Sequence, residues 1–349
     1  MSNYDQFAAA VKEISGGKNV VLLDDLGLPS VYVPINKLKN SEIISGGSEN
    51  THPAFSVNGV EKSRFLYSKY QNIVINGRAY SLSHRDPKTY VNFDQARQAC
   101  EAKGAGFHLG TLAEWAAVAL LTRKMGTMPH GNNNYGGDSA YTYEKGQESA
   151  KDNNKTGRTF TGSGPATWGH DHTQFGIQDM NGNVWEWLGG MRLNEGEIQI
   201  IPYNNAALGS ECDMSASSTL WKAIKNDGSL VAPGTAATLK YDFVSGNIQL
   251  TTGITSAQDA GRGGSYTAMT LASGVTAPEL AKALILYPDE PGKDYGGDYH
   301  WMNNAGERLP LAGGPWNSGA AAGVFRLNLT DARSYSRGHL GFRSAYVEL

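Results

Sequence analysis

The segment GIQDMNGNVWEWLGG, residues 176–190, begins with a tight polar turn. Asp179, Asn181 and Asn183 carry side-chain oxygens that can accept hydrogen bonds from neighbouring backbone amides. Gly182 lets the chain reverse its direction between them. These residues alone predict a turn that leads into a strand of the protein core.

The strand after this turn alternates aromatic and acidic residues. Successive side chains of a strand point to opposite faces, so Trp185 and Trp187 share one face and Glu186 lies on the other. We expect both tryptophans to be buried, together with Phe325 and Phe342 near the C-terminus.

Composition excludes several classes of function. The formal net charge is −3 over 349 residues and the pI is about 6.2, which argues against binding to nucleic acid or to an anionic membrane. The longest apolar runs, such as residues 20–23, are too short to span a bilayer. The N-terminus lacks the apolar stretch of a signal peptide, which predicts synthesis in the cytoplasm.

Two capping boxes predict two helices in the first half of the chain. Asn92 and Gln95 begin a helix over residues 92–104, and Thr111 and Glu114 begin the next helix. In each case the side chain of the first residue can bond the backbone amide three residues later, while the later side chain bonds back.

Few residues offer reactive or metal-binding chemistry. Cys100 lies on the apolar face of the first predicted helix, and with Cys212 it is typical of a chain made in a reducing compartment, although a disulfide between them stays open. His170 and His172 are one residue apart in WGHDHTQ, and no third ligand lies at a recognised spacing. We therefore expect a solvated loop there rather than a metal site.

The chain divides by composition into a small first module and a larger domain. Residues 4–15 have the apolar spacing of an amphipathic helix, and the Gly-rich polar residues 40–53 resemble a linker. This predicts an N-terminal module over residues 1–50 and a main domain over residues 51–349.

Within the main domain, two regions differ from ordinary packed structure. Residues 128–172 form a long polar tract with Gly and Asn clusters, which is unusual inside a compact domain. Residues 176–349 contain short apolar runs broken by Gly, Pro and Asn, which indicates an irregular β-rich body.

Four motifs carry a family resemblance: FHLGTLAEW (107–115), GIQDMNGNVWEW (176–187), RGGSY (262–266) and GFRSA (341–345). From roughly residue 60 to the C-terminus, the chain resembles the formylglycine-generating-enzyme branch of the C-type-lectin fold. The resemblance implies an α+β domain, irregular and β-rich, with two helices and long loops.

The residues needed for the family's catalysis are absent from this sequence. Catalytic members use a pair of cysteines shortly before the Gly-Phe-Arg motif, where a thiolate binds copper. This chain has no cysteine after Cys212, and it lacks the imidazole set of related iron enzymes. The comparison predicts that the protein is not an enzyme; a formylglycine-generating-type enzyme of the same fold with altered chemistry is the alternative.

Residues 312–345 resemble more closely the variable segment of proteins that retroelements diversify. In those proteins, adenine-directed mutagenesis of Asn codons changes chosen positions and spares the scaffold codons. Changing only adenines in AAC or AAT cannot produce Lys, Glu, Gln, Met or Trp, and residues 317–341 contain none of these five types, although all occur elsewhere in the chain.

We expect the polar positions of this segment to converge on one exposed binding face, supported by Val324, Phe325, Leu327 and Leu329. The predicted binding residues are Pro315, Asn317, Ser318, Ala321, Arg326, Asn328, Thr330, Asp331, Tyr335, Arg337, Gly338 and His339. Their aromatic, guanidinium and small polar groups are types favoured at interfaces. An ordinary solvated strand and loop is the alternative.

No cofactor is expected. Relatives of the family bind calcium near the turn that contains Asn183 here, but oxygen-rich turns usually form without a metal.

The sequence thus predicts a non-enzymatic ligand-binding protein whose target is a protein or a surface polymer. It predicts neither nucleic-acid binding nor membrane insertion. The absence of a signal peptide favours display on a phage particle, as a receptor-binding protein, over export to a bacterial surface. The N-terminal module would then attach the domain to the virion or allow self-association.

Overall fold

Short strands and a few helices make up residues 3–349, the part of the chain that the computed structural model describes. The α-helices of these residues are α1 (Asn3–Ile14), α2 (Asn40–Ile43), α3 (Phe93–Glu101), α4 (Leu112–Met125) and α5 (Glu279–Ala283). The first ten strands are β1 (Val20–Leu23), β2 (Pro29–Asn36), β3 (Ser56–Val57), β4 (Val60–Glu61), β5 (Arg64–Ser68), β6 (Ile73–Ile75), β7 (Arg78–Tyr80), β8 (Phe107–Leu109), β9 (Lys151–Asp152) and β10 (Lys155–Thr156).

The later strands build most of the second half of the chain. They are β11 (Trp185–Trp187), β12 (Met191–Asn194), β13 (Glu197–Ile200), β14 (Lys222–Ile224), β15 (Leu230–Val231), β16 (Lys240–Val244), β17 (Asn247–Thr251), β18 (Arg262–Ser265), β19 (Thr270–Leu271), β20 (Tyr299–Met302), β21 (Glu307–Arg308), β22 (Leu311–Gly313), β23 (Gly323–Leu329), β24 (Leu340–Phe342) and β25 (Ser344–Tyr346). None of the helices within residues 3–349 has the length and apolar character needed to cross a bilayer.

Both predicted capping boxes are confirmed. At the start of α3, the Asn92 side chain accepts from the backbone amide of Gln95 at 2.9 Å, and the Gln95 side chain accepts from Asn92 N–H at 3.1 Å. Thr111 and Glu114 exchange the same pair of bonds at the start of α4, at 3.2 and 3.0 Å. The α4 helix stops at Gly126, whose φ of 70° is the left-handed conformation of a glycine C-cap.

One five-stranded sheet ties the two ends of the chain together. Its order is β1-β2-β5-β25-β8, so β25 near the C-terminus lies between β5 and β8. The β2 strand pairs with β5 from Tyr32 to Asn36. Strands β1 and β2, which belong to the predicted N-terminal module, are therefore continuous with the sheet of the main domain.

The predicted linker over residues 40–53 is wrong. Ile43 and Ile44 are buried in the main hydrophobic core, and Asn40 is buried beside them. His52 is also buried, and its Nε2 bonds the carbonyl of Ala283 at 2.8 Å. Burial of the two isoleucine side chains stabilises the packed form of the segment, and hydrogen bonds from Asn40 and Ser48 to Glu279 also hold it.

The helix predicted over residues 4–15 is confirmed as α1, but its apolar residues stay largely exposed. Phe7 is 44% exposed and Ile14 is 75% exposed. The roles of attachment and self-association that we assign to the N-terminal module stay predictions.

A six-stranded sheet in the order β18-β20-β23-β22-β11-β24 carries the aromatic strand that follows the polar turn. The β11 strand lies between β22, to which it is antiparallel, and β24, to which it is parallel. The expected burial of Trp185, Trp187, Phe325 and Phe342 is confirmed. The sheet thus brings residues 185–187 next to the C-terminal segment, the name used here for residues 312–345.

A larger sheet of eight strands completes the β-rich second half. Its main order is β15-β14-β13-β16-β17-β19, and β12 links β13 to β21 at its side. Most of its strand pairs are antiparallel, and three of them, β12 with β13, β14 with β15 and β16 with β17, are hairpins of short strands.

Candidate binding face

Alternation along β23 separates a core side from an outer side. Phe325, Leu327 and Leu329 are each 0% exposed in the core, as the sequence predicts for the framework of the segment. Asn328, on the opposite side of β23, is half-buried. Asn328 pairs with Trp301 of the neighbouring parallel strand β20, so an aromatic side chain from outside the C-terminal segment lies beside it.

Hydrogen bonds join three of the predicted binding residues into one group. The Asn328 side chain donates to Asp331 Oδ2 at 2.7 Å and accepts from the Thr330 hydroxyl at 2.7 Å. Burial raises the pKa of the Asp331 carboxyl, while the bond from Asn328 and the charges of Arg308 and Arg337 oppose that rise. The group therefore presents a carboxylate whose geometry is fixed by its neighbours.

Three further predicted residues lie beside this group. The Arg337 guanidinium lies over the ring of Tyr335, 4.8 Å from its centre, and its charge acts on Asp331. Burial and the charge of Arg337 lower the pKa of His339. The His339 ring in turn contacts Trp316 edge to face at 6.3 Å. These contacts form the edge of what we call the candidate face, the outer side of β23 with residues 330–339.

Ser318 and Arg326 meet beside Gly314. A Cβ atom at Gly314 would lie 3.2 Å from both the Arg326 Cδ and the Ser318 hydroxyl, so the two side chains flank the same backbone. Gly314 has φ 88°, a conformation that favours glycine.

The expectation that all twelve residues are exposed is only partly met. Asn317 and Arg337 are exposed, whereas Pro315 and Arg326 are buried. The half-buried positions are Ser318, Ala321, Asn328, Thr330, Asp331, Tyr335, Gly338 and His339. Pro315 starts a turn, in which its carbonyl accepts from Ser318 N–H at 3.2 Å. The role of the twelve residues in binding stays a prediction.

The long polar tract over residues 128–172 packs against the C-terminal segment. Gly319 N–H donates to the carbonyl of Asn133 at 2.8 Å, and Tyr135 N–H donates to the carbonyl of Trp316 at 2.8 Å. The Trp316 indole donates to Asp152 Oδ2 at 3.0 Å. This loop therefore supports residues 316–319 from one side.

Main-chain atoms of residues 337–339 are held from three directions. Tyr90 N–H donates to the Arg337 carbonyl at 3.0 Å, and Trp185 N–H donates to the His339 carbonyl at 2.9 Å. Arg158 reaches the Gly338 carbonyl at 3.1 Å, and Asp86 fixes its guanidinium with two bonds of 2.8 Å. Each of these bonds uses backbone oxygen of the C-terminal segment and leaves its side chains free.

The polar turn before β11 holds this loop in place, which corrects the expected pattern of local bonds. Asn183 Oδ1 accepts from the distant Thr159 N–H at 2.8 Å, and its amide donates to Gln71 Oε1 at 2.7 Å. Asp179 Oδ2 accepts from Gly162 N–H at 2.8 Å, and burial raises the pKa of Asp179 to about 6. These oxygens accept hydrogen bonds from the 128–172 loop rather than from neighbouring amides. That the turn forms without calcium stays a prediction.

The solvated loop expected at His170 is wrong. His170 is 5% exposed, its Nδ1 accepts from Ile177 N–H at 2.9 Å, and burial lowers its pKa to about 4. His172 donates from Nε2 to the Met128 carbonyl at 3.0 Å. Across residues 3–349, no three His, Cys, Asp or Glu side chains are grouped closely enough to hold a metal ion.

Four aromatic residues lie beside the predicted binding residues, and the sequence patterns did not identify them. Tyr299 and Trp301 are half-buried on β20, and the alternation of β20 (half-buried, buried, half-buried, buried) is a signal that could have found them. Trp316 lies within the segment but is not of a type that adenine changes produce. Tyr90 is 69% exposed with φ 53°, and a Cβ atom at Gly338 would lie 3.0 Å from its hydroxyl. No sequence pattern predicts the positive φ of Tyr90.

Comparison with known proteins identifies the architecture. The family model described as the sulfatase-modifying factor enzyme 1-like domain matches residues 34–269. This confirms the predicted fold, a C-type-lectin fold of the formylglycine-generating type, and the match ends before the C-terminal segment. A search of the curated proteins finds no match.

Solved structures with similarity to the chain include three diverged proteins. Treponema denticola variable protein 1 is 13% identical with a TM-score of 0.34, over 94% of this chain and 98% of that one. The Major Tropism Determinant U1 variant is 11% identical with a TM-score of 0.30, over 90% of this chain and 62% of that one. The P3c variant of the Major Tropism Determinant is 11% identical with a TM-score of 0.30, over 94% of this chain and 71% of that one.

Proposed function

The chain belongs to the family of sulfatase-modifying factor enzyme 1-like domains, and from that premise we propose that it uses this fold for binding rather than catalysis. In this proposal the C-terminal segment is a diversified recognition surface. Its target is a protein or a surface polymer.

One observation carries the proposal. Side chains with no common chemistry, such as Asn328, Asp331, Arg337 and His339, lie together while the chain beneath them is fixed by main-chain bonds from other parts of the protein. A catalytic site needs particular groups at particular distances. A recognition surface needs only a rigid backbone and accessible side chains of varied type, and the arrangement of residues 326–339 supports that use.

The alternative, an enzyme of the same fold with altered chemistry, finds little support in the two cysteines. Both are buried as free thiols. Burial raises the pKa of Cys212 to about 11 and also raises the pKa of Cys100. Because the thiolate is the nucleophile and the metal ligand, neither group is suited to that chemistry near neutral pH.

We expect the double variant Cys100→Ser, Cys212→Ser to retain target binding. Cys100→Ser places a hydroxyl in the core face of α3, so its free energy of unfolding should fall by about 1–3 kcal/mol. Urea unfolding and a binding assay on the same preparations check both parts. Stoichiometric copper binding through these thiols, or oxidation of a cysteine-containing peptide by the unmodified protein, would contradict a binding-only role.

Display on a phage particle is the finer part of the proposal. The C-terminal segment would face the target, and the exposed apolar residues of α1, Phe7 and Ile14, would meet the particle or a second copy of the chain. The encoding DNA tests the diversification directly. A near-copy of the sequence for residues 312–345, differing at adenines and lying beside a reverse transcriptase gene, is the expected finding.

A selection experiment tests the face itself. The nine predicted positions other than the buried Pro315 and Arg326 and the sterically restricted Gly338 are randomised, the library is displayed, and variants are selected on a panel of purified bacterial surface proteins. We expect binders to different targets to differ at these positions and to keep the melting temperature of the parent. In a selected binder that retains Tyr335 and Arg337, replacing either by Ala should weaken affinity by about 1–3 kcal/mol.

Matched controls make this result specific. Tyr203 is 58% exposed and Arg64 is exposed, and both lie outside the candidate face. Tyr203→Ala and Arg64→Ala should leave affinity unchanged. Equal losses from the controls, or selected libraries that no longer fold, would count against a recognition role for the face.

A further inference from the structure

Arg326 differs from the other predicted binding residues in its burial. Its side chain points to the outer side of β23, yet only 8% of the residue is exposed. The guanidinium lies against the face of Trp185, with its central carbon 4.8 Å from the ring centre. Arg326 therefore forms the floor of the candidate face.

Two nitrogens of the Arg326 guanidinium have no hydrogen-bond acceptor among residues 3–349. Its Nε and Nη1 are buried and form no hydrogen bond with any described residue, which leaves Nη2 as the nitrogen nearest to solvent. Burial lowers the pKa of Arg326 to about 10, so the group stays charged near neutral pH. Buried donors without acceptors are costly, and a charged group raises that cost.

Other buried arginines of this protein do have counter-ions. Arg343 pairs with Glu186 at 2.7 Å, and Arg192 pairs with Glu307 at 2.8 Å. Across residues 3–349, no carboxylate forms such a pair with Arg326. Asp298 attracts it electrostatically, but the Asp298 carboxylate accepts from Phe325 N–H at 2.7 Å, and burial raises its pKa.

We propose that Arg326 is the receptor for a carboxylate of the bound target, supplied by an aspartate or glutamate side chain of a protein. This inference rests on the proposed function. The planar guanidinium matches a carboxylate with two parallel hydrogen bonds, and the Trp185 ring holds the plane of the guanidinium from one side. A bound carboxylate supplies the acceptors that the Arg326 nitrogens lack. Binding of a carboxylate is therefore more favourable at Arg326 than at an exposed arginine, whose nitrogens already bond water.

The charge around Arg326 favours a single carboxylate over a polyanion. Asp331 lies on the same face, and its charge would repel the successive charges of an acidic polysaccharide. Ser318 and Trp185, which lie beside Arg326, are uncharged, and Asp298 is a carboxylate that acts on Arg326 electrostatically. One acidic side chain places a single negative charge beside Arg326, whereas a polyanion would also bring negative charge towards Asp298 and Asp331.

Binding requires a small movement of the Arg326 side chain. Because Nε and Nη1 are buried, only the Nη2 edge meets an incoming carboxylate first. Rotation about the flexible stem then brings a second donor to the other carboxylate oxygen. Gly314 is important here, because a Cβ atom at that position would lie 3.2 Å from the Arg326 Cδ and restrict the rotation.

The test uses the full chain labelled with ¹⁵N and needs no identified target. Arginine Nε–H signals are followed by NMR while sodium acetate is added as the carboxylate, sodium chloride as the ionic control and trigalacturonate as the acidic sugar. The Arg326 signal is assigned by its loss in Arg326→Gln, with Arg326→Lys as a second variant that keeps the charge. We expect it to shift saturably with acetate at concentrations about tenfold below those needed with chloride.

The Nε–H signal of Arg337 is the internal control for this titration. Arg337 is exposed, and its Nε–H signal should respond weakly and equally to acetate and chloride. An Arg326 signal that responds equally to acetate and chloride, or that does not move, overturns the proposal. Tighter binding of trigalacturonate than of acetate overturns the choice of an acidic protein side chain. Selection of binders from the randomised face does not depend on any of these signals, so the two proposals can fail separately.

Discussion

Replacing Arg343 with methionine should lower the free energy of unfolding by about 3–5 kcal/mol. Arg343 is fully buried and holds Glu186 with two hydrogen bonds, from Nε at 2.7 Å and from Nη2 at 2.9 Å. Its Nη1 donates to the Lys69 carbonyl at 3.0 Å. Without the guanidinium, the Glu186 carboxylate stays buried with only the Gln71 amide, at 3.0 Å, as a side-chain donor.

A double-mutant cycle measured by urea unfolding gives the interaction energy between Arg343 and Glu186 apart from the contribution of each residue alone. Because Arg343→Met and Glu186→Leu each strand a partner, the double variant should be less destabilised than the sum of the two single variants. Lys39→Met serves as the control, since Lys39 and Glu49 form an exposed ion pair whose loss should change stability little. Simple additivity of the two buried substitutions would show that the pair does not act as a unit.

Phe325→Ala should cost about 3–5 kcal/mol of unfolding free energy, because it removes a large side chain from a filled core. Phe325 is 0% exposed and packs against two aromatic rings. The Tyr266 ring is nearly parallel at 5.6 Å, and the Tyr295 ring is edge-on at 4.9 Å. The cavity left by alanine cannot close without moving both tyrosines.

The opposite side of the same strand region provides the control. Thr330→Ser removes one methyl group from a half-buried position and should change the free energy of unfolding by less than about 1 kcal/mol. Thermal and urea unfolding of both variants measures the contrast. An unchanged melting temperature for Phe325→Ala would contradict its assignment to the framework.

Local patterns predicted much of this fold because their causes are local. The capping boxes at Asn92 and Thr111 involve residues three positions apart, and both helices begin where the sequence indicates. The burial of Trp185 and Trp187 was predicted in the same way, although Glu186 between them is buried as well. The family motifs supplied the architecture that these local elements share.

The same local patterns do not predict contacts between residues that are far apart in the sequence. Asn183 bonds Thr159, 24 residues away, instead of its neighbours. Residues 40–53 looked polar, but their two isoleucines find a core assembled from distant parts of the chain. Alternation along β23 placed Arg326 on the exposed side, but Trp185 from another strand lies against its guanidinium, and the residue is buried.

The bonds to the carbonyls of Arg337, Gly338 and His339 have a consequence for how this protein can evolve. Every amino acid, including proline, carries a backbone carbonyl, so the bonds to Arg337 and His339 do not depend on which side chain stands there, whereas a side chain at Gly338 would press on the Tyr90 ring. Under the proposed recognition role, the side chains at positions 337 and 339 change from variant to variant while these main-chain bonds stay in place.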